Sequence, residues 1–451
     1  MKITLLGHAS LLVEMRGATC LMDPVFRDPF EEGAVTSCPR RTIHPERLPP
    51  IDLLIVSHRH PDHFDLASLA AVPRDCDAIC PADPLIVYAL RQLGFPRVHA
   101  VHPMAPISSA ELELYPTQSE SPGIPEFGVV FHDQSGSFWN QVDCSLSPET
   151  IDAVAERFGR IDLLFARYAS QNFDFFESRA TDLPFEEHRQ NLESVLRIRP
   201  HLVAPGAAGF RFCGPHAWLN PFLFPISAER FVADLARLDP SLSAAIMMPG
   251  DVFQIAPEGV AHRHGASAIA FTEEDDRAQI QFDPTAPIPE LRDPNPDGYP
   301  MEQLRAVTEQ FVRDGLGAFL DSGHPLAERY RALAASYAVG IVFPDASASW
   351  YRFDFAQIPV RLDRSGEADV VHRIAASALV GWMQRKRSFF YVRAYSRRFS
   401  TLYGLARDGQ EVRVKLRPMP DLLIYYLLQV APGSELAAKQ RIDWELHQPP
   451  G

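Results

Sequence analysis

The stretch that decides the fold is Ser57-His58-Arg59-His60-Pro61-Asp62-His63-Phe64-Asp65. It places three imidazoles and a carboxylate within six residues. The apolar run of residues 51–56 before it predicts a buried strand, and residues 66–69 after it begin a helical pattern. Imidazoles and carboxylates are metal ligands, and a turn between a strand and a helix lets their side chains converge. The stretch therefore predicts a site for two metal ions, with a histidine-rich polar loop as the alternative.

The composition is that of an ordinary globular protein. Of 451 residues, 46% are hydrophobic and 22% are charged, which allows two or three domains with a buried core. The net charge is -14, and no Lys/Arg block occurs outside residues 384–387 and 397–398, so we expect no nucleic-acid partner. The N-terminal apolar run breaks at Gly7, and no run is long enough to span a bilayer. We therefore expect a soluble cytoplasmic protein without membrane contact.

The cysteines predict free thiols rather than a disulfide framework or a cysteine metal site. They lie at positions 20, 38, 76, 80, 144 and 213, without the dense spacing of a secreted scaffold. Cys76 and Cys80 have no second Cys or His pair at zinc spacing. A Rieske cluster needs a Cys-x-His and a Cys-x-x-His pair, and only Cys213 with His216 matches the second of these.

The chain divides into three regions that differ in composition and in their pattern of predicted strands and helices. Residues 1–260 begin with a β-meander and then alternate between strands and helices, which predicts an α/β domain. Residues 261–300 are polar and proline-rich and predict a linker. Residues 301–451 predict an additional α+β region, with a long amphipathic helix at 368–387. The sequence leaves open whether this region is a lid, a carrier-protein dock or the interface of a homodimer.

Two residues of the meander stand at the ends of predicted strands, where loop side chains reach a site at a sheet edge. They are His8 and Asp23. For each, a role in a turn or in supporting a ligand is as well founded as a contact to substrate.

The His-x-His-x-Asp-His pattern, at the end of a strand after a β-meander, resembles the metallo-β-lactamase superfamily. The resemblance implies an αββα sandwich with two metals at one edge. It implies that His58 and His60 serve the first metal and that Asp62 and His63 serve the second. The family also has a bridging Asp and a last His further on, and the positions that match them are Asp143 and His216.

The sequence departs from the family pattern at one ligand. The third His of the first metal belongs in the loop of residues 117–127, which contains no His. The loop offers Glu120 instead, with Glu126 as a second candidate. A carboxylate in place of an imidazole adds a negative charge and an oxygen donor, which favours iron or manganese over zinc. The ligand set therefore predicts a di-iron site, with no catalytic residue separate from the metal ligands.

Three further segments resemble their counterparts in the CMP-N-acetylneuraminate hydroxylase family: residues 139–144, 205–210 and 369–374. That family carries a Rieske centre of its own, which this sequence lacks. The Glu-for-His exchange is also similar to the di-iron monooxygenases of natural-product pathways that share the metallo-β-lactamase fold. These resemblances imply O₂ activation by two irons, electrons from a separate reductase, and hydroxylation of a small-molecule or acyl substrate, for example β to a thioester.

Other functions stay open on the residues alone. A two-metal hydrolase of the lactonase or phosphodiesterase type would use zinc or manganese in the same ligands to activate water. A metal-binding scaffold without catalysis is the third possibility. Three residues near strand ends are candidates to bind an anionic substrate, with a structural role as the alternative: Arg167, Tyr168 and Arg211.

Overall fold

The structure is a computed structural model that describes residues 1–108, 111–121, 123–169, 183–207, 209–357, 361–401, 403–407, 414–427 and 435–447. Among these residues the chain forms two compact units, with the boundary between residues 283 and 284. The boundary falls inside the predicted linker, so residues 261–283 belong to the first unit and 284–300 to the second.

Two β-sheets form the first unit. In the described residues one sheet has eight strands, in the spatial order Gly259–Arg263, Val252–Ala256, Lys2–Gly7, Ser10–Met15, Ala18–Met22, Leu53–Ile55, Asp77–Pro81 and Val98–Val101. The other has seven, in the order Ser243–Ala244, Leu202–Gly206, Leu163–Arg167, Gly136–Asn140, Phe127–Asp133, Leu112–Gln118 and Ile107–Ser108. Two short ladders pair Val35–Ser37 with Phe210–Phe212 and Arg40–Ile43 with Ala270–Glu274.

The two sheets pack face to face over one apolar core. Successive side chains of a strand point to opposite faces, so alternate residues of each sheet turn inward. Leu11 and Ile55 of the first sheet lie in the same buried cluster as Phe131 and Phe165 of the second. The rings of Phe138 and Phe165 meet edge to face with centroids 4.8 Å apart. This core fixes the distance between the sheets at whose edge the predicted ligands stand.

Helices pack on the outer faces of this pair of sheets. Their bounds are Leu66–Ala71, Pro84–Gln92, Pro148–Phe158, Phe185–Ile198, Asn220–Leu223 and Ala228–Leu238. The helix at Pro148 starts there because the Ser147 side chain accepts a hydrogen bond from the Thr150 N–H. With the two sheets between the helices, the unit has the αββα arrangement that the sequence predicts. In the described residues no helix combines the length and the apolarity that crossing a bilayer requires.

The second unit is built on a separate sheet. Its five described strands lie in the order Arg361–Asp363, Ala348–Asp354, Ser336–Val342, Val370–Ala375 and Ser396–Ser400, and a hairpin pairs Tyr403–Arg407 with Val414–Pro418. Its described helices are Met301–Gln310, the π-helical turn Phe311–Leu316, Gly317–Asp321, Pro325–Ala332, Ala376–Met383, Phe389–Ala394, Leu422–Tyr425 and Glu435–Leu446. Strands and helices together form the α+β region that the sequence predicts.

The long helix predicted at residues 368–387 is wrong. The strand Val370–Ala375 comes first, and the helix Ala376–Met383 follows it. Val370, His372 and Ile374 are buried while the residues between them are partly exposed, which is the period of two of a strand. Parallel pairing with Ser336–Val342 provides the backbone hydrogen bonds and overrides the helical spacing.

Candidate metal centre

The predicted ligands of the motif lie between the strand Leu53–Ile55 and the helix Leu66–Ala71. The strand pairs in parallel on both sides, and the carboxyl ends of parallel strands are where sites form in such sheets. Asp65 caps the helix, because its carboxylate accepts a hydrogen bond from the Ser68 N–H. Arg27 Nη2 lies 3.0 Å from the other oxygen of Asp65. Both ends of the ligand loop are therefore held by regular structure.

One group of ligand atoms comes from His58, His60 and Asp143. The Nε2 of His58 lies 2.8 Å from Nδ1 of His60 and 3.7 Å from Oδ2 of Asp143. His58 is fully buried. Asp143 follows the strand Gly136–Asn140 of the opposite sheet. Face-to-face packing of the two sheets thus joins ligands that are far apart in the sequence.

A second group comes from His8, Asp62 and His63. Oδ2 of Asp62 lies 3.0 Å from Nε2 of His8 and 3.7 Å from Nε2 of His63. The same nitrogen of His63 lies 3.5 Å from Oδ2 of Asp143, and the rings of His58 and His63 have centroids 4.2 Å apart. Asp143 therefore stands between the two groups, as a carboxylate shared by two ions must.

His8 holds Asp62 in place rather than offering a free nitrogen. The Gly209 N–H donates to Nδ1 of His8 at 3.0 Å, so this nitrogen is an acceptor. The neutral ring then carries its proton on Nε2, which donates to the Asp62 carboxylate. Of the roles that the sequence leaves open for His8, the structure shows support of a predicted ligand.

Asp23 orients two of the predicted ligands at once. Its Oδ1 accepts the Ser57 N–H at 2.7 Å, and its Oδ2 accepts the Ser57 hydroxyl at 2.6 Å and Nδ1 of His63 at 2.9 Å. Because the Ser57 hydroxyl has donated its proton to Asp23, its oxygen accepts Nδ1–H of His58 at 2.9 Å. In their neutral forms both imidazoles therefore present an unprotonated Nε2 toward the centre, which is the tautomer that a metal ligand needs.

The structure offers a direct test of whether these residues fit a cation. Nε2 of His63 is buried and makes no hydrogen bond with any described residue. A buried nitrogen without a partner is destabilising by about 1–3 kcal/mol. This one points between the carboxylates of Asp62 and Asp143. A divalent cation at this position would satisfy the nitrogen and both carboxylates, so the residues fit a metal.

The charges of the centre follow from burial and proximity. Burial, reinforced by the neighbouring His63, lowers the pKa of His58 well below that of an ordinary histidine. Burial also opposes a charge on His63, but Asp62 and Asp143 outweigh it and raise the pKa of His63. The same attraction overcomes burial for the two carboxylates and lowers the pKa of each. Two ionised carboxylates thus face a position where a cation would replace the proton of His63.

The loop of residues 117–127 contains two glutamates, Glu120 and Glu126. Their positions in the structure differ from the prediction. Glu120 is exposed and belongs to neither ligand group of the described residues. Glu126 is buried, and its carboxylate accepts the Ser119 hydroxyl. Burial raises the pKa of Cys144, the residue after Asp143. The negative charge of Glu126 raises it further. Of the two glutamates, Glu126 is therefore the buried one, and its charge reaches Cys144.

His216 also stands outside both groups of the described residues. It is buried in the short 3₁₀ helix Gly214–Leu219, which follows the strand Phe210–Phe212. Burial lowers the pKa of His216 to about 4, so the imidazole is neutral at neutral pH. Five of the seven predicted ligands are therefore brought together, while Glu120 and His216 are not.

Two of the three predicted substrate contacts are occupied by internal partners. Arg167 donates to Asn191 Oδ1 at 3.2 Å and pairs with Glu187. Arg211 Nε lies 2.6 Å from Oδ2 of Asp276. Both arginines thus hold neighbouring elements together.

The third candidate, Tyr168, lines a cavity of about 700 Å³ that also reaches His8. Its walls combine charged side chains, such as Glu229 and Asp275, with apolar ones, which include Leu5, Phe224, Ile226, Ile246, Met247 and Phe282. Arg277 also lines it, but its Nη2 lies 2.7 Å from Oδ2 of Asp275 and its Nη1 2.5 Å from Oε1 of Glu229. The cavity thus combines apolar walls with charged groups, of which Arg277 is already paired inside the protein.

Sequence reasoning did not single out Ser57 and left Asp23 without a definite role. The signal for Ser57 was its position directly before His58, where a hydroxyl can reach the adjacent imidazole. The signal for Asp23 was a carboxylate at the end of the strand Ala18–Met22, which pairs with the strand that leads into the motif.

Comparison with known proteins gives one family match. Residues 19–188 match the family described as "Beta-lactamase superfamily domain". A putative Rieske 2Fe-2S iron-sulfur protein of Mycolicibacterium smegmatis is 26% identical over 241 residues, which are 49% of this chain and 45% of the relative. The match thus spans about half the length of that relative.

Two other similar proteins are named for different reactions, a hydroxylation and a hydrolysis. The 4-amino-L-phenylalanyl-[CmlP-peptidyl-carrier-protein] 3-hydroxylase of Streptomyces venezuelae is 29% identical over 175 residues, which are 35% of this chain and 32% of the relative. The solved structure of an isothiocyanate hydrolase from Delia radicum gut bacteria is 16% identical, with a TM-score of 0.42 over 57% of this chain and 100% of that chain.

Proposed function

We propose that the chain is a non-haem di-iron monooxygenase, on the basis of the match of residues 19–188 to the family described as "Beta-lactamase superfamily domain" and of the ligand groups of the candidate metal centre. The proposed reaction hydroxylates an unactivated C–H bond of a small-molecule or acyl substrate, for example at the carbon β to a thioester or carbonyl. Its place would be in natural-product biosynthesis in the cytoplasm.

The observation that carries the proposal is the balance of oxygen and nitrogen donors. Asp62 and Asp143 both face the centre, and the loop of residues 117–127 brings a buried Glu126 where no imidazole is available. Carboxylate-rich shells suit iron and manganese, whereas zinc in proteins favours imidazole and thiolate. The described groups hold two carboxylates beside the imidazoles, and Glu126 as a further ligand would shift this donor set toward iron.

Five of the seven predicted ligands have a definite place in this proposal. His58 and His60 would hold one iron, Asp62 and His63 the other, and Asp143 would lie between them. When bound, the two irons would supply the activation of O₂. The protein's own part is to turn Nε2 of His58 and of His63 toward the centre, through Asp23 and Ser57.

The cavity beside His8 is the proposed substrate site. Its volume of about 700 Å³ is in the range of small-molecule sites. His8 lines the cavity on one side and holds Asp62 on the other, so a bound substrate would lie next to the predicted ligands. The Tyr168 hydroxyl, whose pKa burial raises, would meet the substrate as a neutral hydrogen-bonding group.

The name of one relative supports hydroxylation. The Streptomyces venezuelae protein acts, by its name, on an aminophenylalanyl group carried by a peptidyl carrier protein. An acyl or carrier-bound substrate is proposed here by analogy. An external reductase is proposed as the electron donor.

A two-metal hydrolase with zinc or manganese is the second candidate. The observation that favours it is that neither Glu120 nor Glu126 belongs to a ligand group of the described residues. Without a glutamate, two imidazoles and Asp143 would remain at the first position, a set that zinc accepts readily. Such a centre would generate hydroxide for attack on a carbonyl or phosphoryl group.

The test is metal analysis of protein prepared without chelators, together with its absorption spectrum and its reaction with O₂ after reduction. Two irons per chain, an oxo-bridge charge-transfer band and rapid O₂ consumption by the reduced protein would support the monooxygenase. Asp143→Ala is the control, because it removes the shared carboxylate and should abolish all three signals. Stoichiometric zinc with ready hydrolysis of lactones or phosphodiesters would overturn the proposal in favour of the hydrolase.

A further inference from the structure

A second cluster of metal-binding side chains lies outside the centre described above, in Asp251, His262 and His264. Oδ2 of Asp251 lies 2.8 Å from Nε2 of His262 and 3.0 Å from Nδ1 of His264. All three ligand atoms lie within 4.8 Å of one another. Around a tetrahedral ion with bonds of about 2.0–2.1 Å, ligand atoms lie about 3.3 Å apart. The three atoms are therefore close to the spacing of ligands on one ion.

The carboxylate of Asp251 has more donors on one oxygen than it can accept well. Oδ2 accepts the Met248 N–H at 3.0 Å as well as the two imidazoles, while Oδ1 accepts the Gly265 N–H at 2.9 Å. A carboxylate oxygen offers about two lone-pair sites. An ion that binds Oδ2 and both rings would use one of these and leave the other to Met248.

The ligands are held in place before any ion binds. Asp251 is fully buried and its backbone carbonyl accepts the Leu5 N–H at 3.0 Å. The ring of His262 stacks on Phe253, with centroids 4.2 Å apart and planes 3° apart. His264 lies in the turn directly after the strand Gly259–Arg263, and its ring centroid is 4.2 Å from that of His262. The side chain of His264 is 71% exposed, so an ion has access from solvent.

We propose that Asp251, His262 and His264 bind a divalent cation of the zinc class at a site separate from the metal centre. Two imidazoles and one carboxylate are a donor set that zinc uses, with the remaining position left to water. The ion would fasten the hairpin of Val252–Ala256 and Gly259–Arg263 to the turn that ends at Asp251. None of these three residues belongs to either ligand group of the centre, so the proposal does not depend on the proposed function.

The test counts zinc in the full chain after equilibrium dialysis against Zn²⁺, in wild type and single variants. His264→Ala removes an exposed ligand, and His262→Phe keeps the stack on Phe253 while removing the other imidazole. Each is expected to bind one zinc fewer than wild type. The matched control is His99→Ala, because His99 is also exposed and pairs with a carboxylate, Asp77, at 3.1 Å. It is expected to bind as many ions as wild type.

A further variant separates this site from the metal centre. Asp143→Ala is expected to lower the number of bound zinc ions because it weakens the metal centre. The double variant Asp143→Ala/His264→Ala is expected to bind one zinc fewer than Asp143→Ala alone. Equal counts in wild type, His264→Ala and His262→Phe would overturn the proposal, since the cluster would then be a hydrogen-bonded support only. An equal loss in His99→Ala would overturn it as well, because the binding would then belong to any exposed histidine.

Discussion

Asp23 Oδ2 accepts Nδ1–H of His63 at 2.9 Å, in a part of the sheet edge where both side chains are fully buried. The same oxygen accepts the hydroxyl of Ser57, which in turn accepts Nδ1–H of His58. One carboxylate thus decides which nitrogen each of two predicted ligands presents to the centre.

Asp23→Asn should weaken metal binding by about 10–100-fold. The amide NH₂ of Asn would face Nδ1 of His63 as a donor, which favours a proton on Nε2 and blocks the metal lone pair. Competition with a chromophoric chelator measures the affinity. Asp133→Asn is the control, since Asp133 is also buried and accepts backbone N–H groups, but from Arg16 and Ser135. Equal affinities in the two variants would contradict the role of Asp23.

Glu126→Ala should reduce iron content more than Glu120→Ala does. Glu126 is 8% exposed and lies beside Cys144, whereas Glu120 is exposed. Metal analysis of the two variants makes the comparison. If Glu120→Ala is the variant that loses iron, and Glu120→His shifts the preference to zinc, the glutamate predicted from the sequence is the ligand after all.

His8→Phe should lower the affinity for one of the two ions while the other stays bound. The phenyl ring can keep the edge-to-face contact with Phe210, whose centroid lies 5.2 Å away, but it cannot donate to Asp62. A stepwise metal titration would show one weakened step. His44→Phe is a matched control, because His44 also pairs with a carboxylate, Glu46, and should leave both steps unchanged.

Gly250→Ala should destabilise the first unit by about 2–4 kcal/mol through overpacking and backbone strain. Gly250 has φ +91°, and an added Cβ would lie 2.9 Å from the Cα of Phe271 and closer still to the Ala270 carbonyl. Gly259→Ala is the control that separates the steric clash from the backbone strain. Gly259 has φ +135° but an added Cβ there meets no described atom within 4 Å. Chemical denaturation of both variants measures the difference, and equal losses would contradict the packing argument.

Asp421→Asn should destabilise the second unit by about 3–5 kcal/mol, because it breaks a buried ion pair from one side. Oδ2 of Asp421 lies 3.0 Å from Nδ1 of His372 and 3.1 Å from Nε of Arg398. Burial opposes the charge of Asp421, but His372 and Arg398 outweigh it and lower the pKa of the carboxyl. Hydrogen exchange of the strand Ser336–Val342 would report the loss.

The lowered pKa of Asp421 also fixes the sign of the pH dependence. Its stabilising contribution is fully present above the unfolded pKa of about 3.9 and is lost as the pH falls through the lower folded value. Wild type should therefore lose protection in its second unit below about pH 4, and Asp421→Asn should lose less over the same interval. An identical pH profile in both proteins would contradict this assignment.

Much of the centre could be predicted from the sequence. The motif lies between a buried strand and a helix, so His58, His60, Asp62 and His63 had to emerge at one sheet edge. The alternation of short strands and helices predicted an α/β domain, and the resemblance to the metallo-β-lactamase superfamily implied its αββα arrangement. Asp143 could be found because the family resemblance implied a bridging Asp after a later strand, and Asp143 follows the hairpin strand Gly136–Asn140.

Other features depended on which distant segments meet. Asp23, His8 and Gly209 act on the motif because of strand pairing and turn geometry, which no local pattern encodes. The choice between Glu120 and Glu126 turns on how one loop folds against its sheet. The strand Val370–Ala375 was mistaken for helix because its partner strand, and not its own residues, provides its hydrogen bonds.

The sequence by itself thus determined which donor types are present and that most of them stand at one sheet edge, because strand and helix periodicities are local properties of the chain. Only the tertiary structure decided which imidazole nitrogen is free, that Asp143 joins two groups, and that Asp251 meets two histidines. These depend on separations of a few ångströms between residues far apart in the chain, and packing of the two sheets sets them.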